Sequence, residues 1–137
     1  MTSLSTLRSR KTTVLQGMDN SRTQISILED KISRLQKASS TLSNNISQLE
    51  TTKSTVDTMT VDGNRWKGES EQKFEDNYSA YKESVNEYAR KVNDAKETID
   101  EDIRRYGEMR ANYVAGLDNL EHTLNSLDNQ IKAEERK

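Results

Sequence analysis

VDGNRWKGES, residues 61–70, interrupts a chain whose remaining sequence is patterned as helix. The stretch concentrates residues that tolerate the backbone angles of tight turns, namely Asp62, Gly63, Asn64 and Gly68. It also holds Trp66, the only tryptophan of the chain. We therefore predict a helix-to-helix turn over about residues 61–68, and we expect function to be found near it.

The composition leaves little material for a globular core, because 31% of the 137 residues are hydrophobic, 32% are charged and the mean hydropathy is -1.02. Such values are also typical of disordered chains. However, the chain has no proline, and its few apolar residues recur at helical intervals, as a narrow coiled-coil seam requires. We predict an all-α fold: one domain over 1–137 forming an elongated antiparallel helical hairpin, with helix 1 over about 4–60 and helix 2 over about 69–134.

The first half carries one unbroken heptad register. With Ile25 at position a and Leu28 at position d, the spacing alternates between three and four residues throughout. This seam comprises Leu4, Leu7, Lys11, Val14, Met18, Ser21, Ile25, Leu28, Ile32, Leu35, Ser39, Leu42, Ile46, Leu49, Lys53 and Val56. Its polar members either select a register and a partner or are tolerated on a lightly buried stripe.

The second half has a register that changes phase once. Its seam is read as Tyr78, Tyr81, Val85, Tyr88, Val92, Ala95 and Ile99, continuing with Ile103, Tyr106, Arg110, Tyr113, Leu117, Leu120, Leu124, Leu127 and Ile131. Two steps of four residues follow each other from Ala95 to Ile103, which marks a stutter. Gly107 and Gly116 weaken the same region. The pattern therefore predicts bending near Asp102 and a possible helix break over 102–116.

The sequence contains no pattern typical of a catalytic, metal-binding or cofactor-binding site. The chain has no cysteine, so thiolate ligands and disulfides are excluded. His122 is the only histidine, and consecutive helical positions such as Asp100, Glu101 and Asp102 do not converge on one ion. No catalytic triad or phosphate-binding glycine loop is visible. We predict that the protein is not an enzyme and has no catalytic residues, no metal site and no cofactor.

The distribution of charge and hydropathy argues against a nucleic-acid-binding protein and against a membrane-inserted one. Residues 1–60 carry eight basic and five acidic groups, whereas residues 61–137 carry 13 basic and 18 acidic groups. Folding one half onto the other should therefore bring opposite charges together. Neither half has a concentrated basic face, which argues against binding to nucleic acid. No stretch is long and apolar enough for membrane insertion, and residues 1–15 lack the apolar core of a secretory signal.

A two-helix hairpin leaves its flanking positions exposed, so we expect further helices to complete a three- or four-helix bundle. They would come from a homo-oligomer or a hetero-oligomer. We predict that the partner contacts apolar and aromatic seam residues, namely Ile25, Leu28, Ile32, Leu35, Leu42, Ile46, Leu49, Tyr78, Tyr81 and Tyr88.

Trp66, Lys67 and Gly68, with Phe74 eight residues after the tryptophan, resemble the WXG-motif proteins of the ESX or type VII secretion systems. The resemblance implies that Trp66 and Gly68 stand in the loop of a hairpin and that Phe74 lies early on helix 2. Trp66 either pins the turn against the opposing helix or protrudes towards a partner. The family's C-terminal Tyr-x-x-x-Asp/Glu export signal is missing, since Arg110 follows Tyr106 and Leu117 follows Tyr113 at that spacing.

The length of the chain and the charged residues Glu71 and Lys73 beside the motif make it more similar to the small helical proteins associated with LXG-domain toxins in Gram-positive bacteria. That resemblance implies a targeting factor or chaperone that binds the helical N-terminal domain of an LXG-type toxin, with a second small helical protein as a further candidate partner. The protein would be cytoplasmic before export and could leave the cell with its cargo. The alternatives are a structural coiled-coil scaffold subunit and a self-paired secreted type VII substrate.

Overall fold

Two long α-helices make up the computed structural model, which describes residues 3–57 and 69–137. Helix α1 spans Leu4–Asp57 and helix α2 spans Glu69–Glu135. Ser3 caps the start of α1, because its hydroxyl accepts a 3.1 Å hydrogen bond from the backbone N–H of Thr6. The two helices pack against each other, which confirms the prediction of an all-α helical hairpin. The predicted turn over residues 61–68 lies outside the described residues.

The helix pair divides into two units. The terminal unit comprises residues 1–34 and 103–137, and the central unit comprises residues 35–102. Within the terminal unit the helices run antiparallel, since Arg8 contacts Glu135 while Glu29 contacts Arg110. As the contacts advance along α1 from its start, their partners on α2 therefore recede from its end.

The seam predicted for α1 is confirmed over almost its whole length. Every seam position from Leu4 to Leu49 is buried or half-buried, whereas Lys53 is exposed. The side chain of Val56 lies outside the described part. This agreement follows from the three-four spacing, which keeps one narrow stripe of α1 against the neighbouring helix.

The core of the terminal unit is small and aliphatic. Its buried members are Leu7, Val14, Met18, Leu127 and Ile131, and partly buried Leu4, Leu117, Leu120 and Leu124 pack against them. Leu28 is buried further along α1, with 3% of its surface exposed. The packing of these residues holds together a helix whose many serines and threonines give it little intrinsic stability.

The register predicted for α2 between Tyr81 and Ala95 is wrong. Tyr81, Tyr88 and Ala95 are exposed, whereas the residues that follow them, Lys82, Ala89 and Lys96, are half-buried. With these replacements the seam of the central unit reads Tyr78, Lys82, Val85, Ala89, Val92, Lys96 and Ile99. The two lysines can occupy such positions because their aliphatic stems pack while their ammonium groups reach water.

The corrected register removes the stutter. The spacing from Tyr78 through Ile99 and Ile103 to Ile131 alternates between four and three residues without interruption. Accordingly, α2 is a single helix from Glu69 to Glu135, and the break suggested over 102–116 is absent. Gly107 and Gly116 both lie within the helix. The division between the central and terminal units falls between Asp102 and Ile103, and α2 is continuous across it.

Polar seam residues of α1 make contacts within the hairpin. Lys11 Nζ lies 2.8 Å from Asp128 Oδ1 in the terminal unit. Ser39 Oγ donates a 2.6 Å hydrogen bond to Asp100 Oδ1 in the central unit. Because a shift of one helix past the other would break both contacts, these residues favour the register of this chain's own helix pair.

No helix in the described residues contains a stretch long and apolar enough to cross a membrane.

Candidate functional site

The turn motif is described only in part. Trp66 and Gly68 lie outside the described residues. Phe74 lies in the second turn of α2, half-buried, and its ring stacks on that of Tyr78 with centroids 5.8 Å apart and an interplanar angle of 16°. The aromatic that the resemblance places early on helix 2 therefore contacts its own helix.

The apolar residues of α1 predicted to bind a partner lie on the seam of the hairpin itself. In the terminal unit Leu28 is buried and Ile25 and Ile32 are half-buried. In the central unit the corresponding residues are half-buried, namely Leu35, Leu42, Ile46 and Leu49. Their partner-binding role remains a prediction, but α2 already covers much of their surface, so a partner would need other positions as well.

One side of the terminal unit is bridged by ion pairs between the helices; we call it the paired side. Its contacts join Arg8 to Glu135 at 3.1 Å, Lys11 to Asp128 at 2.8 Å, Arg22 to Glu121 at 4.0 Å and Arg110 to Glu29 at 2.8 Å. Three of the four place a basic group of α1 against a carboxylate of α2, as the charges of the two halves predict. Exposed pairs contribute little each, about 0.2–1 kcal/mol. Leu15, one heptad after Arg8 and one before Arg22, also lies on this side and is 43% exposed.

The opposite side of the terminal unit, which we call the open side, carries a groove. The groove has a volume of about 490 Å³ and runs between the two helices. Val14 and Leu127 form its apolar floor, and its rims consist of Ser9, Arg10, Thr13, Thr123, Ser126 and Gln130. Most of the rim side chains are short, so the floor remains accessible from solvent.

Further along the open side, two large apolar side chains face solvent. Ile27 is 43% exposed and Met109 is 41% exposed. The heptad assignment places both beside the seam on the side of the groove, because Ile27 follows Thr13 by two heptads and Met109 precedes Thr123 by two heptads. Single exposed apolar residues are ordinary, but here they share a side with an apolar-floored groove.

The open side is basic. Arg10, Lys31, Arg34 and Arg105 flank the seam there, and none of the described flanking positions of the terminal unit on this side holds a carboxylate. Lys31 Nζ and Arg105 Cζ lie 5.4 Å and 5.3 Å from the centroid of the Tyr106 ring, so two cations share one aromatic ring. Asp30, at the outward-facing position beside this side, contacts Arg34 at 3.1 Å.

The central unit exposes tyrosines at the corresponding heptad position of α2. Tyr81 is 51% exposed and Tyr88 is 55% exposed. Tyr88 lines a groove of about 250 Å³ together with Asn45, Gln48, Leu49 and Thr52 of α1. The other side of this unit holds a groove of about 370 Å³ lined by Ile46, Leu49, Glu50, Lys53, Asn86, Ala89, Arg90 and Asn93. Tyrosine is enriched in protein interfaces because its ring packs while its hydroxyl meets water.

Asp100, on α2 of the central unit, is a carboxylate whose pKa is perturbed by its neighbours. Lys96 Nζ donates a 2.6 Å hydrogen bond to it, and the Ser39 hydroxyl donates another across the helices. These two hydrogen bonds, with the charge of Lys96, hold the pKa of Asp100 below its ordinary value. The arrangement has a structural purpose, because it ties α1 to α2.

Replacement of Asp100 by asparagine should lower the melting temperature slightly at neutral pH. Since the folded-state pKa of Asp100 is below the unfolded value of about 3.8, its stabilising effect is complete above that pH and is lost as the pH falls through the folded pKa. The difference between wild type and Asp100→Asn should therefore vanish once the pH falls below the folded-state pKa of Asp100. Thermal unfolding followed by circular dichroism at several pH values measures it, with exposed Asp94→Asn as the control. An equal difference at every pH would contradict the assignment.

The described residues contain no group of three or more histidine, aspartate and glutamate side chains that could hold a metal ion. His122 is exposed on α2. Asp100 engages Lys96 and Ser39, and Asp102 is half-buried. The described surface does offer grooves and exposed apolar side chains that can contact another molecule.

Two residues of this surface, Ile27 and Met109, were missed at the level of sequence. Both fall beside the seam, where an apolar residue does not alter the three-four pattern. The available signal was their hydrophobicity at positions that the hairpin does not need to fill.

No curated protein and no solved structure matches the chain significantly. A sequence-family model for YwqH-like proteins matches residues 9–129, which cover the central unit, most of the terminal unit and most of the two helices. A match over so much of the chain shows that the protein belongs to the YwqH-like family.

Proposed function

We propose that this chain is a binding protein of a bacterial type VII secretion system and has no enzymatic activity. Its partner would be the helical N-terminal domain of an LXG-type toxin, which it would accompany as a targeting factor or chaperone. Support comes from its family and from the Trp66-Lys67-Gly68 sequence between α1 and α2 in chain order. In this proposal the missing Tyr-x-x-x-Asp/Glu signal makes export depend on the complex.

The observation that carries the proposal is the pattern of exposed apolar side chains. A hairpin that functioned alone would place polar residues beside its seam, yet Ile27, Met109, Tyr81 and Tyr88 are all between 41% and 55% exposed. Covering such groups with helices of another chain removes apolar surface from water, at about 25 cal/mol per Å². A helical toxin domain with its own apolar stripe provides that cover.

Co-expression with a tagged N-terminal domain of an LXG-type toxin tests this function. We expect the untagged chain to co-purify and to elute with the toxin domain as one species in size-exclusion chromatography. The double variant Tyr81→Ala/Tyr88→Ala should retain its helical circular dichroism but lose most of the binding, since aromatic interface residues carry a large share of binding energy. The matched control is Glu87→Ala/Asp94→Ala, which also changes two exposed α2 residues seven positions apart but touches none of the grooves described above.

Three results would contradict the proposal. A chain that never associates with an LXG-type domain would refute toxin binding. A stable homomeric assembly that needs no other protein would favour the structural scaffold. Appearance of the chain in culture supernatant without any toxin would favour a self-paired secreted substrate.

A further inference from the structure

We infer that the open side of the terminal unit is where a partner helix docks, and that this helix carries carboxylates beside its apolar stripe. The inference rests on the proposed function, since the helix would come from the toxin domain. It adds which side of the hairpin is used and which charge the partner must bring.

The shape of the open side favours a helix. The groove between Thr13 and Thr123 has an apolar floor of Val14 and Leu127, and its rims are mostly short hydroxylated side chains. Short rims let a third helix approach closely enough for its apolar side chains to reach the floor. Ile27 and Met109 extend the apolar surface further along the same side of the unit. A helix laid in this groove would complete a three-helix arrangement.

The charge of the open side determines the chemistry of the occupant. Arg10, Lys31, Arg34 and Arg105 flank the seam on this side. Arg34 contacts Asp30 at the outward-facing position, and Lys31 and Arg105 converge on the Tyr106 ring, but no carboxylate among the described residues of the terminal unit flanks the seam here. A helix with basic flanks would be repelled, whereas one with glutamates or aspartates beside its apolar stripe would be attracted. The basic side chains thereby favour an acidic amphipathic helix.

A second copy of this chain fits the open side poorly. A two-fold symmetric contact places the same patch opposite itself, so the arginines and the lysine of one copy would face those of the other. Docking on the paired side is also disfavoured, because its carboxylates already contact Arg8, Lys11, Arg22 and Arg110. A partner helix there would have to displace ion pairs that the hairpin has formed.

Gly116 and Gly107 provide a matched test. They are nine residues apart on α2, which is about two and a half turns, so they lie on opposite sides of the helix. Gly116 precedes Thr123 by one heptad on the open side, and Gly107 precedes Glu121 by two heptads on the paired side. A Cβ at either position would meet nothing within 4 Å. Both can therefore accept glutamate, which also has the higher helix propensity.

The experiment measures the affinity of the full-length chain for the N-terminal domain of an LXG-type toxin by isothermal titration calorimetry. We expect Gly116→Glu to weaken binding by about tenfold or more, because it adds bulk and like charge on the contact. Gly107→Glu should bind as the wild type does. Raising the salt concentration from about 50 to about 500 mM should weaken the wild-type complex, since salt screens the attraction. Thr123→Glu, on the groove itself, should repeat the effect of Gly116→Glu.

The outcomes separate this inference from the function on which it rests. If the wild-type chain does not bind the toxin domain, the proposed function fails and the inference falls with it. If the wild type binds and the Gly116→Glu and Thr123→Glu variants bind equally well, the function stands and the open side is refuted. Selective loss with Gly107→Glu would place the partner on the paired side. If Gly116→Glu instead dissociates a dimer in sedimentation analysis, a second copy occupies the groove and the acidic partner helix is refuted.

Discussion

Replacement of Leu28 by alanine is expected to destabilise the free protein by about 2–3 kcal/mol. Leu28 is 3% exposed on the seam of the terminal unit, so the substitution removes buried methyl groups and leaves a cavity between the helices. The lower part of the usual range applies because a pair of helices can close partly around the gap. Thermal unfolding followed by circular dichroism should show a drop of about 6–12 °C in Tm.

The adjacent residue supplies the control. Ile27 is 43% exposed, and Ile27→Ala should change the stability of the free protein by less than about 0.5 kcal/mol, as surface substitutions usually do. Because Ile27 lies on the open side, Ile27→Ala should instead weaken the binding of a partner while leaving the folding of the free protein unaffected. An unchanged Tm for Leu28→Ala would contradict this packing role. Leu28 would then contribute only to binding a partner, which is the role that the sequence predicted for it.

The double substitution Gly107→Ala/Gly116→Ala is expected to stabilise the free protein by about 1–2 kcal/mol. Glycine in the interior of a helix costs about 1 kcal/mol relative to alanine, and both glycines lie within the uninterrupted α2. Nothing lies within 4 Å of a Cβ at either position, so the gain in helix propensity is not offset by a clash. Denaturant unfolding should show a higher midpoint with an unchanged slope.

Gly17→Ala separates the effect of helix propensity on stability from the effect of packing. A Cβ there would lie 3.2 Å from Leu120 Cδ1, closer than ordinary van der Waals contact. Since that atom ends a flexible side chain, Leu120 can move by a few tenths of an ångström, and Gly17→Ala should gain less stability than Gly116→Ala. A decrease of stability in the Gly107→Ala/Gly116→Ala variant would show that α2 needs flexibility at these positions.

The central unit shows why the register of α2 could not be read from the sequence. Two heptad readings fit residues 78–99: one places Tyr81, Tyr88 and Ala95 on the seam, and the other places Lys82, Ala89 and Lys96 there. Hydrophobicity favours the tyrosines. The folded protein has the second register. The seam of α1 is continuous, and α2 can follow it without a change of phase only when its own three-four spacing is unbroken. The same choice turns Tyr81 and Tyr88 towards solvent.

The sequence by itself determined the helical class, the division into two helices and the seam of α1, because each depends on local propensity and on a periodicity that one helix carries alone. It also predicted that basic groups of the first half would meet carboxylates of the second. Only the tertiary structure decided the seam of α2, the continuity of that helix through Gly107 and Gly116, and the difference between the paired and open sides. Each of these depends on which residues of the other helix lie opposite, and that pairing is a property of the folded hairpin, which neither helix contains on its own.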